Sequence, residues 1–172
     1  MTMPLLPTSL DDLEYNRVRY TWQNKSGWRE EWRLDGALHS FDDHPAVIMS
    51  GALDEEHWYN HGVRHRDEIL GPAWTKLNSN IQSYYHNGKL HRTAGPAMIT
   101  PADKKWYRHD LLHREDGPAL ERINAPGTTQ INYFPSLYEW WWDGIPYTNL
   151  DEWGEGSGVD PELFVLIKLK YG

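Results

Sequence analysis

Apolar and aromatic residues in this chain alternate with polar ones over short runs, and the runs recur as one repeated phrase. The clearest copies are YYHNGKLHRTAGPAMI at 84–99 and WYRHDLLHREDGPAL at 106–120, whose histidines lie 22 residues apart. Fainter copies occupy 32–48 and 58–74, and a broken copy, WWWDGIPYT, occupies 140–148. Alternation favours strands, and a repeat of this length predicts a tandem array of one structural unit.

A dipeptide that favours a tight turn lies at the centre of each copy. Asn-Gly and Asp-Gly between strand-type residues predict a two-residue hairpin turn, because both positions need a positive φ. The five dipeptides are Asp35-Gly36, His61-Gly62, Asn87-Gly88, His109-Asp110 and Asp143-Gly144. His109-Asp110 departs from the ideal but is compatible with the same turn.

The two-residue turn fixes which side chains lie opposite each other. Counting outward, the residue four before the second turn position pairs with the residue three after it, on one face of the hairpin. These repeat pairs are Trp32/His39, Trp58/His65, Tyr84/His91, Trp106/His113 and Trp140/Tyr147. The alternate pairs, on the other face, are Arg33/Leu38, Tyr59/Arg64, Tyr85/Leu90, Tyr107/Leu112 and Trp141/Pro146. We expect the five aromatic residues of the repeat pairs to form one column.

Short links and strand-like runs follow each hairpin. The links reach Gly-Pro-Ala at 71–73, 95–97 and 117–119, or His44-Pro45-Ala46 in the first copy. Proline cannot donate to a ladder, so each link is a loop or bulge. Strand-like runs at 47–49, 73–77, 97–100 and 119–123 lead to the next copy. The predicted fold class is all-β and mainly antiparallel: an elongated meander of tandem hairpins with about two strands per repeat.

The two ends differ from the repeats. Residues 13–31 resemble a degenerate leading hairpin that turns at Asn24–Gly27, residues 32–148 carry the tandem hairpins, and residues 1–12 look loosely held. TNLDEW at 148–153 has helix-start chemistry, and Asp160-Pro161-Glu162 supplies an N-cap, an N1 proline and a first-turn acid. We expect 149–172 to be a C-terminal cap with a short helix at 160–170, with a strand as the alternative. As a helix, this segment places Leu163, Phe164, Leu166 and Ile167 in an apolar stripe, which we expect to pack against Trp140–Trp142. All of 1–172 is predicted to be one domain.

Composition limits the function classes. The chain has 25 acidic and 17 basic residues, a net charge of −8, which argues against phosphate-backbone binding and favours a neutral or basic partner. It has no cysteine, so disulfides and zinc–thiolate sites are excluded. The start lacks signal-peptide features, and the longest apolar run, LFVLI at 163–167, is too short to cross a bilayer. We expect a soluble cytoplasmic protein without a membrane association.

The phrase HREDGPA at 113–119, preceded by an aromatic pair and a turn, resembles repeats found in bacteriophage and large-virus proteins. These are similar to MORN-type repeats, and WWWDGIPYTNLDEW resembles the closing unit of such arrays. The resemblance covers roughly 30–153 and departs at Ser40 and His44, where arginine and glycine are usual. It implies stacked hairpins, a viral source with a place in the host cytoplasm, and an interaction scaffold rather than a reaction.

The repeated histidines and arginines each have a structural and a functional interpretation. A residue that recurs once per unit usually serves the unit, so we favour packing for His39, His65, His91 and His113. Their predicted spacing of about 9–10 Å is too large to share one metal ion. Arg66, Arg92 and Arg114 either bind an acidic or phosphate group or pair with nearby carboxylates.

Two irregular clusters are further candidates. Asp42, Asp43 and His44 suit acid–base or metal chemistry. The better interpretation is that the first repeat simply departs from the repeat consensus at these positions. Trp140, Trp141 and Trp142 either pack under the cap or form a binding hot spot. No phosphate loop, nucleophile elbow or metal-binding helix motif is present. We assign no catalytic residue, no metal and no cofactor.

The sequence therefore predicts a non-enzymatic protein-interaction module, with an inhibitor, adaptor or assembly role. The candidate binding residues are Tyr59, Tyr85, Tyr107, Trp140, Trp141, Trp142, Arg66, Arg92 and Arg114. The alternatives are a hydrolase that uses the repeated histidines and arginines, and an aromatic platform for carbohydrate or nucleic acid.

Overall fold

The computed structural model describes residues 15–21, 27–123 and 138–172. The strands of this part of the chain are β1 Tyr15–Thr21, β2 Trp28–Leu34, β3 Ala37–Leu38, β4 Val47–Ser50, β5 Glu55–His57, β6 Tyr59–Asn60, β7 Val63–Arg64, β8 Trp74–Lys76, β9 Ile81–Ser83, β10 Tyr85–His86, β11 Lys89–Leu90, β12 Met98–Ile99, β13 Asp103–Lys105, β14 Tyr107–Arg108, β15 Leu111–Leu112, β16 Leu120–Arg122, β17 Tyr138–Trp142 and β18 Ile145–Tyr147. A 3-10 turn at Leu77–Ser79 and two helices, α1 Leu150–Ser157 and α2 Pro161–Tyr171, complete them.

Within the described residues, twelve strands form one antiparallel sheet. Its order is β1-β2-β4-β5-β8-β9-β12-β13-β16-β17-β18, with β3 attached to β2. Strands that follow each other in this sheet along the chain are therefore neighbours, as in a meander. The predicted fold class, an antiparallel all-β meander with a C-terminal helical cap, is confirmed.

Three of the hairpins stand apart from the main sheet as two-stranded sheets, β6-β7, β10-β11 and β14-β15. The second copy explains the separation. The N–H of Trp58 donates to the carbonyl of Ala73 at 2.9 Å, whereas its own carbonyl accepts from His65 at 3.2 Å. The chain therefore changes its hydrogen-bonding partner at Trp58. Before Trp58, β5 pairs with β8 of the main sheet, and after it, β6 pairs with β7 of the hairpin. Each such repeat contributes two strands to the main sheet and two to its hairpin.

The five predicted turns have the expected geometry. Both residues of each turn have a positive φ, between 46° and 81°. Tyr59 pairs with Arg64, Tyr85 with Leu90 and Trp141 with Pro146, so the predicted register is confirmed. Left-handed φ values are costly for most residues, which explains why Asp, Asn, His and Gly occupy these positions.

One transverse row of pairings shows that the repeat aromatics share a face. Its members are Glu30, Ile48, Glu56, Thr75, Gln82, Ile99, Lys104, Glu121 and Tyr138, each paired with the next. Side chains alternate along a strand, and each repeat aromatic lies two positions after a row member. Trp32, Trp58, Tyr84, Trp106 and Trp140 therefore lie on one face, as predicted. We call it the helix face and the opposite one the far face.

The N-terminal strand forms a hairpin with the first repeat. β1 and β2 pair over their full lengths, from Tyr15 opposite Leu34 to Thr21 opposite Trp28. Most of the turn predicted at Asn24–Gly27, and residues 1–12, lie outside the described residues. The domain boundaries stay a prediction.

Both C-terminal helices begin at capping residues, and the sequence identified the second of these, Asp160. Asn149 accepts a hydrogen bond from the N–H of Glu152 at 2.9 Å, and Asp160 accepts from Glu162 and Leu163 at 3.0 and 3.1 Å. Pro161 occupies the first turn of α2. These caps satisfy N–H groups that the helices leave unpaired, so the helix predicted at 160–170 is confirmed.

The cap encloses a small core against the last hairpin. Trp140, Trp153, Val159 and Ile167 are buried together, and the rings of Trp140 and Trp153 lie 5.2 Å apart. The prediction that Leu166 joins the packed stripe is wrong, because Leu166 is 62% exposed. The Phe164 ring sits so close to Gly154 that a Cβ there would lie 2.1 Å from it. This contact orients α2 with Leu163, Phe164, Ile167 and Tyr171 toward the core.

No helix among the described residues is long and apolar enough to span a membrane.

Candidate functional site: the stacked hairpins

The arginine after each repeat histidine lies over the aromatic ring of its own repeat. The guanidinium carbons of Arg66, Arg92 and Arg114 lie 3.9, 3.8 and 3.8 Å from the ring centroids. The rings belong to Trp58, Tyr84 and Trp106, respectively. This is cation–π geometry, and it holds each arginine on the helix face within its repeat.

The same arginines explain the Gly-Pro-Ala motif. Arg66, Arg92 and Arg114 donate to the carbonyls of Pro72, Pro96 and Pro118 at 3.1, 3.3 and 3.2 Å. A Cβ on Gly71 would lie 2.9 Å from the guanidinium of Arg66, and one on Gly117 would lie 3.0 Å from that of Arg114. The alanine that follows is fully buried in every copy. The phrase therefore encodes a loop folded over an arginine, and a binding role for these arginines stays a prediction.

The first copy reaches a similar arrangement with other residues. The ring of His44 lies 4.8 Å from that of Trp32, and the guanidinium carbon of Arg17 lies 5.5 Å from the centroid of the Trp32 ring. The hydroxyl of Ser40 accepts from the N–H groups of Ala46 and Tyr59 at 3.1 and 3.0 Å. The departures at Ser40 and His44 are thus accommodated in the fold.

The acidic cluster at 42–44 forms a tight turn rather than a convergent site. Asp42 and Asp43 both have left-handed φ, 46° and 59°, and Phe41 bridges to His44. Asp43 binds Arg66 of the next repeat through two bonds of 2.7 and 2.6 Å. Its carbonyl also accepts from the indole of Trp58 at 3.0 Å. The cluster joins the first two repeats.

Three of the repeat histidines bridge to the next hairpin. The Nδ1 atoms of His39, His65 and His113 each accept a hydrogen bond of 3.2 Å from a backbone N–H. The donors are His61, Asn87 and Asp143, the first turn residues of the following hairpins. Each histidine thus lies at a junction, the contact zone between consecutive hairpins.

The second turn residue reinforces each junction. Its N–H donates to a carbonyl of the preceding hairpin at 2.8–2.9 Å; the pairs are Gly62 to Leu38, Gly88 to Arg64, Asp110 to Leu90 and Gly144 to Leu112. The hairpins are therefore linked laterally, although they are separate from the main sheet.

Imidazole rings meet at the first three junctions. The ring centroids are 4.4 Å apart for His39 and His61, 5.0 Å for His65 and His86, and 4.3 Å for the parallel rings of His91 and His109. The fourth junction instead places His113 4.6 Å from Trp142, with its Nδ1 3.1 Å from a carboxylate oxygen of Asp143. Sequence reasoning did not anticipate the roles of His61, His86 and His109, because their contacts depend on how the hairpins stack.

The histidines of the second and third junctions line a cleft on the helix face between the second and fourth hairpins. Its volume is about 360 Å³, and its walls include His65, His86, His91, His109 and Glu68. Burial raises the pKa of the Glu68 carboxyl. The carboxylate accepts hydrogen bonds from the N–H and the hydroxyl of Thr93, and these outweigh burial and hold the pKa below its usual value. In the described part of the chain, no three side chains are placed to hold one metal ion. This fits the assignment of no metal without testing it.

The pKa values of three junction histidines lie below the ordinary value. Burial is the main cause for His39, His65 and His91, and a neighbouring histidine is the second cause in each case. Both effects disfavour a charged ring. The folded protein therefore favours the neutral imidazole at these three junctions.

A different set of side chains lies on the far face. We call the five alternate pairs on this face the hairpin stripe: Arg33/Leu38, Tyr59/Arg64, Tyr85/Leu90, Tyr107/Leu112 and Trp141/Pro146. All are half-buried except the exposed Pro146. The guanidinium of Arg64 lies 5.4 Å from the Tyr59 ring centroid and 5.1 Å from that of Tyr85. The stripe thus crosses the hairpin junctions.

His57 is a buried polar residue that the sequence did not mark. It lies on the far face beside the stripe, where its Nδ1 accepts from Arg64 at 2.9 Å and its Nε2 lies 3.1 Å from Glu55. Burial, with the nearby charge of Arg64, lowers the pKa of His57 to about 4 despite the opposing effect of Glu55. The ring is neutral at physiological pH and supports Arg64.

The three tryptophans at 140–142 have different environments. Trp140 is buried in the cap core, and Trp142 contacts both His113 and Trp153 on the helix face. Trp141 lies on the far face in the hairpin stripe and donates from its indole to Glu139 at 3.1 Å. Of the three, Trp141 is the one placed for a partner on the far face.

Comparison with family models, with curated proteins and with solved structures gives no match. The likeness to phage and MORN-type repeats therefore stays an expectation.

Proposed function

We propose that this chain is a non-enzymatic protein-interaction module that binds an extended segment of a partner protein across the hairpin stripe. The observation that supports this most is the stripe itself. Four consecutive hairpins place the partly exposed side chains of Tyr59, Tyr85, Tyr107 and Trp141 in one register on one face. Aromatic side chains provide large contact area at low entropic cost and are enriched at binding hot spots.

The spacing of the stripe suits an extended polypeptide. Strands lie about 4.8 Å apart and each hairpin contributes two, so the aromatic residues recur about every 9–10 Å. The position of Arg64 between the rings of Tyr59 and Tyr85 agrees with this spacing. An extended chain in the polyproline conformation advances about 9–10 Å in three residues and returns to the same side at every third side chain. Every third residue of the partner would then meet one hairpin.

The helices leave this face free for a partner. Their ring contacts are with Trp140, Trp142 and Tyr138, and the Tyr171 hydroxyl donates to Glu121 at 3.0 Å. All of these residues lie on the helix face. A net charge of −8 favours a segment that is neutral or basic. In a phage, as the resemblance implies, the partner would be a host or phage protein in the host cytoplasm, and inhibitor, adaptor and assembly roles fit equally.

The histidine-lined cleft supports a second candidate, a hydrolase or another small-molecule site. Its volume of about 360 Å³ is within the range of ligand pockets. The variants His91→Ala and His113→Ala discriminate between the candidates, because His113 lies at a junction without lining the cleft. A hydrolase would lose turnover in His91→Ala at an unchanged melting temperature. If the histidines have only structural roles, both variants lower the melting temperature.

Face-resolved photo-crosslinking tests the proposed function. A photoreactive phenylalanine analogue replaces Tyr85 or Tyr107 on the far face, and Gln82 or Lys104 serves as a control on the helix face of the same chain segments. Both control side chains are exposed. We expect the same protein to be captured in the native cellular background from positions 85 and 107 and not from 82 and 104. Capture from the control positions alone would contradict binding at the stripe.

A further inference from the structure

We propose that the first three hairpin junctions form an acid-sensitive switch, in which neutral imidazoles hold neighbouring hairpins together and protonation releases them. The switch is built from His39 with His61, His65 with His86, and His91 with His109. It does not depend on the function proposed above.

The hydrogen bonds at the first two junctions require an unprotonated Nδ1. Because the backbone N–H of His61 donates to His39, and that of Asn87 donates to His65, each acceptor nitrogen must carry a lone pair. In a neutral ring the proton is then on Nε2. Protonation adds a hydrogen at Nδ1, which faces the backbone N–H and breaks the bond. The loss falls on the residue that begins the next turn.

The third junction is sensitive for another reason. The rings of His91 and His109 are stacked with an angle of 10° between their planes. Within the described residues, Nδ1 of His91 is buried without a hydrogen-bond partner. A proton added at Nδ1 of His91 would have no acceptor, and positive charges on the two stacked rings would repel each other.

The other charged groups around these histidines do not cancel the effect. His39 faces His61, which disfavours its charged form, and His65 faces His86, which does the same, together with Asp67, which opposes the shift. His91 faces His109, His86 and Arg108, all of which disfavour its charged form, and Glu68, which favours it. For all three histidines the net direction is a lowered pKa.

The fourth junction provides an internal control. His113 has the same Nδ1 bond, from the N–H of Asp143, but its ring nitrogens also lie 3.1 Å from the Asp143 carboxylate and 3.4 Å from that of Glu115. Arg108 binds both of those carboxylates. Acceptors are therefore available to a charged His113, so this junction tolerates acid better than the other three.

The pH window follows from the direction of the shifts. A histidine whose pKa is lower in the folded state makes its full contribution to stability at pH values above the pKa of the unfolded chain, which is about 6.5. The stabilisation decreases as the pH falls below about 6.5, because the unfolded or released state binds more protons. The junctions therefore loosen in mildly acidic solution and are closed at neutral pH.

Hydrogen exchange measured between neutral pH and about pH 5 tests the switch. The reporters are the junction amides of Gly62, Gly88 and Asp110, with Gly144 as the control amide at the fourth junction. After correction for intrinsic exchange, we expect the three protection factors to fall by about tenfold more than that of Gly144, the scale expected for the loss of one hydrogen bond. An equal decrease at all four amides would overturn the proposal.

Asparagine variants show whether the histidines are the cause. In His39→Asn and His65→Asn the side-chain oxygen replaces Nδ1 as acceptor and does not titrate in this range. In the double variant, we expect Gly62 and Gly88 to stay protected in acid while Asp110 still loses protection. If Gly62 and Gly88 lose protection as in the unmodified chain, the proposal is wrong. Titration of the imidazole NMR signals in the unmodified chain gives a second test. The proposal is wrong if the pKa values of His39, His65 and His91 are found at or above about 6.5.

The switch would also act on the hairpin stripe, because the stripe is carried by these hairpins. This consequence rests on the proposed function and predicts that a bound partner is released in mild acid. The exchange experiment is made without a partner, so its failure and the failure of the proposed function are distinguishable.

Discussion

The guanidinium of Arg66 lies on the ring of Trp58, 3.9 Å from its centroid. The arrangement is repeated at Arg92 on Tyr84 and at Arg114 on Trp106. Each arginine also holds the carbonyl of its Gly-Pro-Ala loop, so one side chain joins the hairpin to the strand that returns to the main sheet.

Replacement of the most buried of these arginines should destabilise the fold. Arg114 is 8% exposed and binds both Asp116 and Glu121 at 2.6 Å. Arg114→Ala leaves Glu121 without this partner and opens a gap over Trp106, so we expect a loss of about 3 kcal/mol in the free energy of unfolding. Arg108→Ala is the control, since its pairs with Glu115 and Asp143 are exposed and should be worth less than about 1 kcal/mol. Urea denaturation measures both, and equal losses would contradict a structural role for Arg114.

The contact between Gly71 and Arg66 predicts non-additive mutations. An alanine at 71 would clash with the guanidinium at 2.9 Å, in addition to the strain of its φ of 134°. In an Arg66→Ala background the clash is absent and only the strain remains. We therefore expect Gly71→Ala to cost at least about 0.5 kcal/mol less in that background. Gly36→Ala should show no such difference, because no atom lies within 4 Å of its Cβ position. Additivity at position 71 would contradict the proposed contact.

The orientation of α2 can be tested with two aliphatic residues. Ile167 is 3% exposed and Leu166 is 62% exposed. Ile167→Ala should cost about 2–4 kcal/mol through the cavity it leaves, whereas Leu166→Ala should change stability by less than about 0.5 kcal/mol. Thermal or urea unfolding distinguishes them. The reverse order would mean that the helix is rotated.

Removal of residues 159–172 should expose the cap core. Trp140 and Trp153, which are 6% and 0% exposed, would lose their cover. We expect the truncated chain to aggregate or dimerise, because a large exposed apolar patch drives association. Size-exclusion chromatography with light scattering measures this. A monomer with an unchanged melting temperature would show that the tail is a free arm.

The sequence predicted those features that depend on local chemistry. Asn87-Gly88 indicated a turn because few other residues adopt two successive positive φ angles, and the turn then fixed the pairing of Tyr85 with Leu90. Asp160 and Pro161 indicated a helix start in the same way.

The features that the sequence did not predict depend on packing between distant segments. His39 meets His61 and His65 meets His86 because of how successive hairpins stack, which no local pattern reports. The segment 163–167 is apolar at every position, so its sequence did not determine which side of α2 would be buried. The position of Phe164 against Gly154 determined it, and Leu166 was left exposed.

The affinity of stripe variants for the partner captured by crosslinking tests the central claim most directly. The double variant Tyr85→Thr and Tyr107→Thr keeps strand propensity but removes two rings, and Gln82→Thr with Lys104→Thr is its matched control on the helix face. We predict that the stripe variant binds at least about tenfold more weakly, a loss of about 1.4 kcal/mol, while the control binds as the unmodified protein does. Unchanged affinity in the stripe variant, or an equal loss in the control, would contradict the account.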